Sequence, residues 1–148
     1  MFDGTGASLY PGRWNERNQR VVYVTTRLPL GILEILVQDS VTSLQNYGAY
    51  PIEIPDGIAL ETVDRSRLSS DWRTAFNGRT ECRAIGDAWF TRAEFVGLIV
   101  PSAVVPEGMD YEDFNIVLNP LHADFARIEI GARITLAIDT RLESLLAP

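Results

Sequence analysis

The sequence is poor in the residues that supply most nucleophiles, metal ligands and amines. It has one cysteine, Cys82, one histidine, His122, and no lysine, since all thirteen basic residues are arginine. The lone cysteine excludes an internal disulfide and a zinc site built from several cysteines. Without lysine no Schiff base can form on a side-chain amine, and every cation is a planar fork suited to carboxylates or phosphates. No carboxylates have the spacing of a metal site, so we expect no metal.

Long apolar runs and glycine-rich phosphate loops are also missing. No stretch approaches the roughly 20 apolar residues of a membrane span, and the first residues lack the basic and apolar segments of a secretion signal. The residues Gly4-Thr5-Gly6 do not complete a dinucleotide-binding or Walker A motif. The net charge of −7 disfavours binding to nucleic-acid phosphates. We therefore expect a cytoplasmic protein that binds neither membranes nor nucleic acid.

What is present fits one α+β domain of 148 residues. Apolar spacing predicts a helix from Pro29 through Val41 and Leu44. Since strands and helices do not alternate strictly, we expect a mixed, mainly antiparallel sheet with flanking helices. β-Branched and apolar runs predict strands at 20–26, 50–54, 94–101 and 114–118, and one bulged strand or two strands at 126–138. A second helix is predicted at 86–93, a short capped helix near Ser69–Trp72, and a loop over 1–19.

The N-terminal third of the sequence holds two candidates for ligand binding. Arg13 offers a fork for a diphosphate, while Gly12 lets a ligand approach the backbone and Trp14 offers a stacking face. Tyr23 lies in a predicted strand and is a candidate stacking platform with a hydroxyl handle. Each also has a structural interpretation, as a structural arginine, a core tryptophan and a core tyrosine.

Two further polar residues lie at unusual places in the pattern. On a helix, Glu34 has Leu30 and Val37 as neighbours on the apolar face. It is either a carboxylate at the edge of that face or one held in a partly apolar site, where it could orient a sugar hydroxyl or stabilise positive charge. Ser102 follows a predicted strand, which suits a site as well as an ordinary turn.

The lone histidine and cysteine are interpreted as structural. His122 lies in a turn and suits capping or a surface position, and Cys82 has no nucleophile motif around it. A serine hydrolase using Ser102 and His122 is an alternative, but the sequence lacks the GxSxG elbow of that class.

Read in order, short motifs across the chain resemble the RES-domain toxins of bacterial toxin–antitoxin pairs, a family named for an arginine, a glutamate and a serine. The motifs are Asp3-Gly4-Thr5-Gly6-Ala7, Gly12-Arg13-Trp14-Asn15, Val21-Val22-Tyr23, Leu33-Glu34-Ile35-Leu36-Val37, Asp71-Trp72-Arg73, Gly86-Asp87-Ala88-Trp89, Val100-Pro101-Ser102-Ala103-Val104-Val105-Pro106, Asn119-Pro120-Leu121-His122 and Asp139-Thr140-Arg141-Leu142.

The resemblance implies a fold similar to that of ADP-ribosyltransferase toxins, NAD⁺ as the substrate, and an Xre-type antitoxin that covers the active site. We expect one RES-like domain over 1–148. Members usually carry a further N-terminal strand with another arginine before the stretch that starts at Asp3, so either the start of this sequence is trimmed or this member lacks that strand. The implied catalytic residues are Arg13, Tyr23, Glu34 and Ser102, and the implied NAD⁺ contacts are Arg13, Trp14, Tyr23 and Asn119.

For such a family the expected reaction is cleavage of the nicotinamide–ribose bond, which depletes NAD⁺ and arrests growth. Its transition state is oxocarbenium-like, so a carboxylate such as Glu34 would lower its energy. Water as the acceptor gives hydrolysis, phosphate gives phosphorolysis, and a side chain of a metabolic enzyme gives ADP-ribosylation. We favour a small acceptor, because 148 residues leave little room for a docking surface. A further alternative is a remnant that binds NAD⁺ or the antitoxin without catalysis.

Overall fold

The computed structural model describes residues 2–38, 47–74, 77–106, 108, 113–137, 139 and 141. The helices in these ranges are α1 (Thr5–Leu9), α2 (Leu28–Leu36) and α3 (Asn77–Arg92). The strands are β1 (Val22–Thr25), β2 (Gly48–Ala49), β3 (Ile52–Glu53), β4 (Glu61–Thr62), β5 (Gly97–Pro101), β6 (Phe114–Leu118), β7 (Glu129–Ile130) and β8 (Ile134–Thr135). Short 3-10 helices cover Arg65–Arg67 and Ala123–Arg127.

A four-stranded sheet is the frame on which the site is built. Its strand order is β1-β6-β5-β4; β6 runs antiparallel to both neighbours, and β4 pairs with β5 in parallel. The shorter strands form two antiparallel pairs, β2 with β8 and β3 with β7. The predicted mixed, mainly antiparallel sheet with flanking helices is confirmed.

The sheet is covered by apolar side chains on both faces. Alternation along β6 sends Asn115 and Val117 to one face and Ile116 and Leu118 to the other. On the first face the buried core consists of Trp14, Val21, Val63, Trp72, Cys82, Trp89, Leu98, Val100 and Val117. On the second face it consists of Ile58, Val96, Ile116, Leu118 and Ile128. Helix α3 packs on the first face, and this is the face that carries the candidate site.

Helix α3 begins well before its predicted start at Gly86. Its buried side includes Gly78, Cys82 and Gly86 at every fourth residue, and a Cβ added at either glycine would collide with the backbone of another segment. At Gly86 that backbone is the carbonyl of Trp14. Because this contact face is made of small residues, hydrophobic spacing does not reveal it. The sequence therefore predicts only the C-terminal half of the helix, from Gly86 onward.

The remaining predictions divide between confirmations and corrections. Strands are confirmed as β1, β3, β5 and β6, and 126–138 forms two strands with different partners. The predicted N-terminal loop contains α1, where the Asp3 carboxylate accepts the N–H of Thr5 at 3.0 Å. Ser69–Trp72 forms a turn instead of a helix. Helix α2 ends at Leu36 and residues 37–38 form a turn, so the predicted helix is too long there; its predicted part over 39–44 lies outside the described residues.

Among the described residues, no helix has the length and apolar character that crossing a membrane requires.

Candidate functional site

Glu34 lies at the end of the sheet where β5 finishes and β6 begins, and two buried side chains donate to it. Its Oε1 accepts hydrogen bonds from Ser102 Oγ at 2.7 Å and from Asn115 Nδ2 at 2.6 Å. Within the described ranges, Oε2 has no hydrogen-bond partner and no arginine forms an ion pair with Glu34. These three residues are termed the Glu34 cluster. It fixes one carboxylate oxygen and leaves the other available to a ligand.

Helix packing explains why Glu34 lies there. Leu30, one turn earlier on α2, is buried, whereas Val37, the other neighbour named from the sequence, is 65% exposed, so the predicted apolar face is buried only at the Leu30 end. Gly31 lets α2 lie close to β1, since a Cβ at that position would come within 3.2 Å of Thr25 Oγ1. Thr25 is paired directly with Asn115 across the sheet. The helix therefore delivers Glu34 to the end of β6 where Asn115 points.

Asn115 is a site residue that the sequence analysis missed. It is the polar residue in the apolar strand Phe114–Leu118, and its own Oδ1 is buried without a partner among the described residues. A buried amide in a core strand needs hydrogen-bonding partners. An asparagine inside an otherwise apolar strand was therefore the signal that could have identified it.

Tyr23 lies on the same face of the sheet, two residues along β1 from Thr25. Its hydroxyl donates to Asn15 Oδ1 at 2.9 Å and accepts the backbone N–H of Trp14 at 3.0 Å. Burial of this hydroxyl raises the pKa of Tyr23, so the phenol stays neutral. The side chain as a whole is nevertheless 38% exposed. Its ring can therefore still serve as the predicted stacking platform, whereas its hydroxyl is already hydrogen-bonded within the protein.

The loop before β1 is organised by Asn15, a second residue without a predicted role. Its Oδ1 also accepts the N–H of Gly12 at 2.8 Å, and its Nδ2 donates to the carbonyls of Ala7 and Glu16 at 2.9 and 3.0 Å. Gly12, Trp14, Asn15 and Tyr23 are termed the Asn15 cluster. A Cβ on Gly12 would lie 2.6 Å from the Tyr23 hydroxyl. Gly12, which was predicted to let a ligand approach the backbone, therefore makes room for the side chain of Tyr23 instead.

Arg13 forms internal hydrogen bonds with its fork. One terminal nitrogen donates to the carbonyls of Trp72 and Thr74 at 2.7 and 3.2 Å, and the other donates to that of Arg73 at 3.2 Å. Arg73 in turn donates to the carbonyls of Ala103 and Val105. Arg13 thus braces the segment that holds the loop after Ser102, and the predicted diphosphate clamp has no support in this geometry.

Neither Trp14 nor Asn119 presents a group to a ligand at the Glu34 cluster. Trp14 is only 2% exposed, and its ring packs 6.3 Å from that of Trp72 in the core. Asn119 follows β6 at the opposite end of the sheet, and its Oδ1 accepts the N–H of Leu121 at 2.9 Å. Their predicted contacts with NAD⁺ are therefore replaced by a packing role and a turn role.

The hydrolase alternative fails on topology. Ser102 follows β5 and His122 follows β6. Because these two strands are antiparallel, their carboxyl ends lie at opposite ends of the sheet. His122 caps a 3-10 helix by accepting the N–H of Asp124 at 3.1 Å, as its interpretation as a capping residue predicted.

Cys82 lies in the core and presents no reactive thiol to solvent. It is 0% exposed, and burial raises the pKa of its thiol to about 11. Over the described ranges, no three histidine, cysteine, aspartate or glutamate side chains lie close enough to hold a metal ion.

Comparison with known proteins gives consistent matches. The model of the RES domain family matches residues 1–139. The chain is 38% identical over 143 residues to a protein named Toxin Res from Photorhabdus laumondii subsp. laumondii, which covers 95% of this chain and 87% of that protein. It is 33% identical over 147 residues to a Toxin Res from Yersinia enterocolitica, covering 96% and 90%.

Two further matches add an activity name and a fold. A Prs ADP-ribosylating toxin from a Sphingobium species is 32% identical over 126 residues, covering 83% of this chain and 74% of that protein. The crystal structure of the M. tuberculosis MbcT–MbcA toxin–antitoxin complex matches with a TM-score of 0.67 at 16% identity, covering 97% of this chain and 80% of that chain. That likeness confirms the fold class.

Proposed function

The chain belongs to the RES domain family, and we propose that it is the toxin of a bacterial toxin–antitoxin pair that cleaves NAD⁺ between nicotinamide and ribose. The observation that carries this proposal is the half-buried Glu34 carboxylate, with Oε1 fixed by two buried donors and Oε2 without a partner in the described ranges. Relatives named as toxins at 38% and 33% identity support the toxin assignment.

The chemistry needs a carboxylate placed in this way. As the bond breaks, its electron pair leaves with nicotinamide, which departs neutral, and positive charge grows on the ribosyl carbon. A fixed negative charge nearby stabilises that charge without reorganising, and partial burial reduces its screening by water. Glu34 Oε2 accepts a ribose hydroxyl and so holds the developing cation beside the carboxylate. The acceptor then attacks that carbon and releases its proton to solvent.

The surrounding residues position the carboxylate and the ligand. Ser102 and Asn115 act through Glu34, because both donate to its Oε1. The exposed ring of Tyr23 packs on nicotinamide or on its ribose, while its neutral hydroxyl stays bound to Asn15. Arg13 acts indirectly: it holds the segment that contains Arg73, and Arg73 in turn holds the loop after Ser102.

For the acceptor we propose a small molecule, water or phosphate. Transfer to a side chain of a cellular enzyme is the second candidate, and the Sphingobium relative named as ADP-ribosylating favours it. The products separate the three: ADP-ribose from water, ADP-ribose 1″-phosphate from phosphate, and a labelled protein in cell extract supplied with labelled NAD⁺.

An enzyme that consumes NAD⁺ must be restrained in its host. We propose an Xre-type antitoxin that covers the Glu34 cluster, in a complex that resides in the cytoplasm. The MbcT–MbcA complex shows that a protein of this fold assembles with an antitoxin. Inhibition of NAD⁺ cleavage by the co-expressed partner, in proportion to complex formation, tests this assignment.

The decisive variant is Glu34→Gln. We expect NAD⁺ consumption to fall at least about 100-fold, as for loss of one preorganised charge-stabilising group, with thermal unfolding unchanged. Glu53→Gln removes an exposed carboxylate on β3 and serves as the matched control. A Glu34→Gln enzyme with the wild-type rate removes Glu34 from the mechanism. A wild-type chain inert with water, phosphate and extract leaves only the non-catalytic alternative.

A further inference from the structure

Arg83 on α3 has two terminal guanidinium nitrogens that no group in the described structure engages. Its Nε donates to the carbonyl of Gly12 at 3.3 Å. Across the described ranges, its Nη1 and Nη2 have no hydrogen-bond partner and no carboxylate lies within ion-pair distance. These two nitrogens are also open to solvent, unlike Arg73 Nη2, which is buried without a partner.

The fold places this guanidinium next to the candidate site. Gly86 lets α3 pack on the backbone of Trp14, and Arg83 lies one turn earlier, beside Gly12. The N–H of Gly12 and the hydroxyl of Tyr23 donate to the same oxygen, Asn15 Oδ1, so Arg83 lies close to that hydroxyl. The charge of Arg83 reaches that hydroxyl, where it opposes the burial that raises the pKa of Tyr23.

Neither Arg13 nor Arg73 has both terminal nitrogens unengaged and accessible. Arg13 donates to three carbonyls, and Arg73 donates to two while its second terminal nitrogen is enclosed. The chain carries a net charge of −7, and Glu34 adds a negative charge at the site itself. A phosphate ligand therefore needs a local cation, and a planar fork with two parallel N–H groups suits phosphate oxygens.

We infer that Arg83 is the phosphate-binding residue of the site, holding two phosphoryl oxygens through Nη1 and Nη2 while the Gly12 carbonyl fixes Nε. This inference rests on the proposed function and deepens it. The phosphate belongs either to the diphosphate of the dinucleotide or to inorganic phosphate that acts as the acceptor. In both cases Arg83 takes the role that the sequence suggested for Arg13.

The test compares Arg83→Gln with Arg79→Gln, which removes an exposed arginine from the same helix. Calorimetry measures binding of ADP-ribose, which carries the diphosphate, and of nicotinamide, which has none. We expect Arg83→Gln to weaken ADP-ribose about tenfold or more and to leave nicotinamide unchanged, with Arg79→Gln like wild type. Arg83→Lys keeps the charge without the fork, so it should show an intermediate loss and guards against misfolding of the glutamine variant.

A second arm separates the two phosphate sources. If Arg83 binds inorganic phosphate, ADP-ribose binding survives in Arg83→Gln, but the phosphate-dependent rate of NAD⁺ loss falls about tenfold with an unchanged KM for NAD⁺. The inference is overturned if ADP-ribose affinity and phosphate dependence in Arg83→Gln both match Arg79→Gln. Arg83-dependent binding of ADP-ribose by a chain that does not cleave NAD⁺ would reject the proposed function alone.

Discussion

The two polar clusters on this face of the sheet are each built around a buried asparagine, yet one is closed and the other is open. In the Asn15 cluster, Oδ1 accepts two hydrogen bonds and Nδ2 donates two. In the Glu34 cluster, Asn115 Nδ2 donates to Glu34, while Asn115 Oδ1 and Glu34 Oε2 have no partner in the described part of the chain.

This difference distinguishes the Asn15 cluster, a structural network, from the Glu34 cluster, the candidate site. A buried polar group left without a hydrogen-bond partner costs about 1–3 kcal/mol. A buried side chain whose only role is to hold the backbone is therefore expected to have all its hydrogen-bonding groups paired. The closed cluster fixes the loop over 12–15 against Tyr23. In the open cluster, Glu34 Oε2 has no partner among the described residues and can accept from a ligand hydroxyl, whereas Asn115 Oδ1 is buried.

A relay of arginines connects the two clusters. Arg13, which adjoins Asn15, binds the carbonyls of 72–74, and Arg73 within that segment binds the carbonyls of 103 and 105. Ser102 precedes that loop, and its Oγ accepts the N–H of Val104 at 3.2 Å. Ser102 is therefore held from both sides, by the relay and by Glu34.

The largest effect is expected from opening the closed cluster with Asn15→Ala. The four hydrogen bonds of the buried Asn15 amide are lost, so the free energy of unfolding should fall by about 3 kcal/mol, measured by urea denaturation. Gln38→Ala, at an exposed position after α2, is the control. A loss below about 1 kcal/mol would mean that the loop re-forms its contacts without the amide and that the cluster is not the anchor of Tyr23.

Removing the relay with Arg13→Ala should cost about 2 kcal/mol of unfolding free energy, because three carbonyls lose a charged donor. The KM for NAD⁺ should stay within about threefold of wild type, since the fork faces protein carbonyls. Arg17→Ala, an exposed arginine nearby, controls for the loss of charge. A large rise in KM with unchanged stability would restore Arg13 as a diphosphate contact.

Asn115→Ala tests the open cluster, and a smaller free-energy change is expected. Turnover should fall about tenfold, equivalent to about 1.4 kcal/mol, because Glu34 loses one of its two donors. Added to Glu34→Gln, the same substitution should cause no further loss of turnover, as expected for a residue that acts through Glu34. Additive losses in the double variant would show that Asn115 acts on the ligand or on the fold directly.

The smallest effect is expected at Cys82, which is buried in the same core cluster as Trp14. At pH 8 the thiol should resist iodoacetamide, since burial raises its pKa to about 11 and leaves about one thiolate in a thousand. Because the folded pKa is raised, this thiol favours the folded state below its unfolded value near 9.0 and loses that contribution as pH rises toward 11. Labelling in urea is the positive control, and rapid labelling without urea would show that the region opens.

The sequence by itself determined the α+β class and the strands β1, β3, β5 and β6, because apolar runs mark the strands. It also singled out Glu34 and Ser102 as candidates, and the folded chain brings these two side chains into contact. The resemblance of ordered motifs added the family, and the matching RES domain model agrees with it.

Only the tertiary structure decided which polar groups meet. Ser102 and Glu34 are 68 positions apart, Asn115 and Glu34 are 81 apart, and Arg83 and Gly12 are 71 apart. A side chain's spacing in sequence fixes the face on which it lies, but its hydrogen-bond partner depends on which elements pack together. Arg13 was therefore a reasonable ligand candidate from its neighbours alone. In the folded chain its fork donates to the carbonyls of 72–74, and the packing of α3 through small residues brings Arg83 to the carbonyl of Gly12.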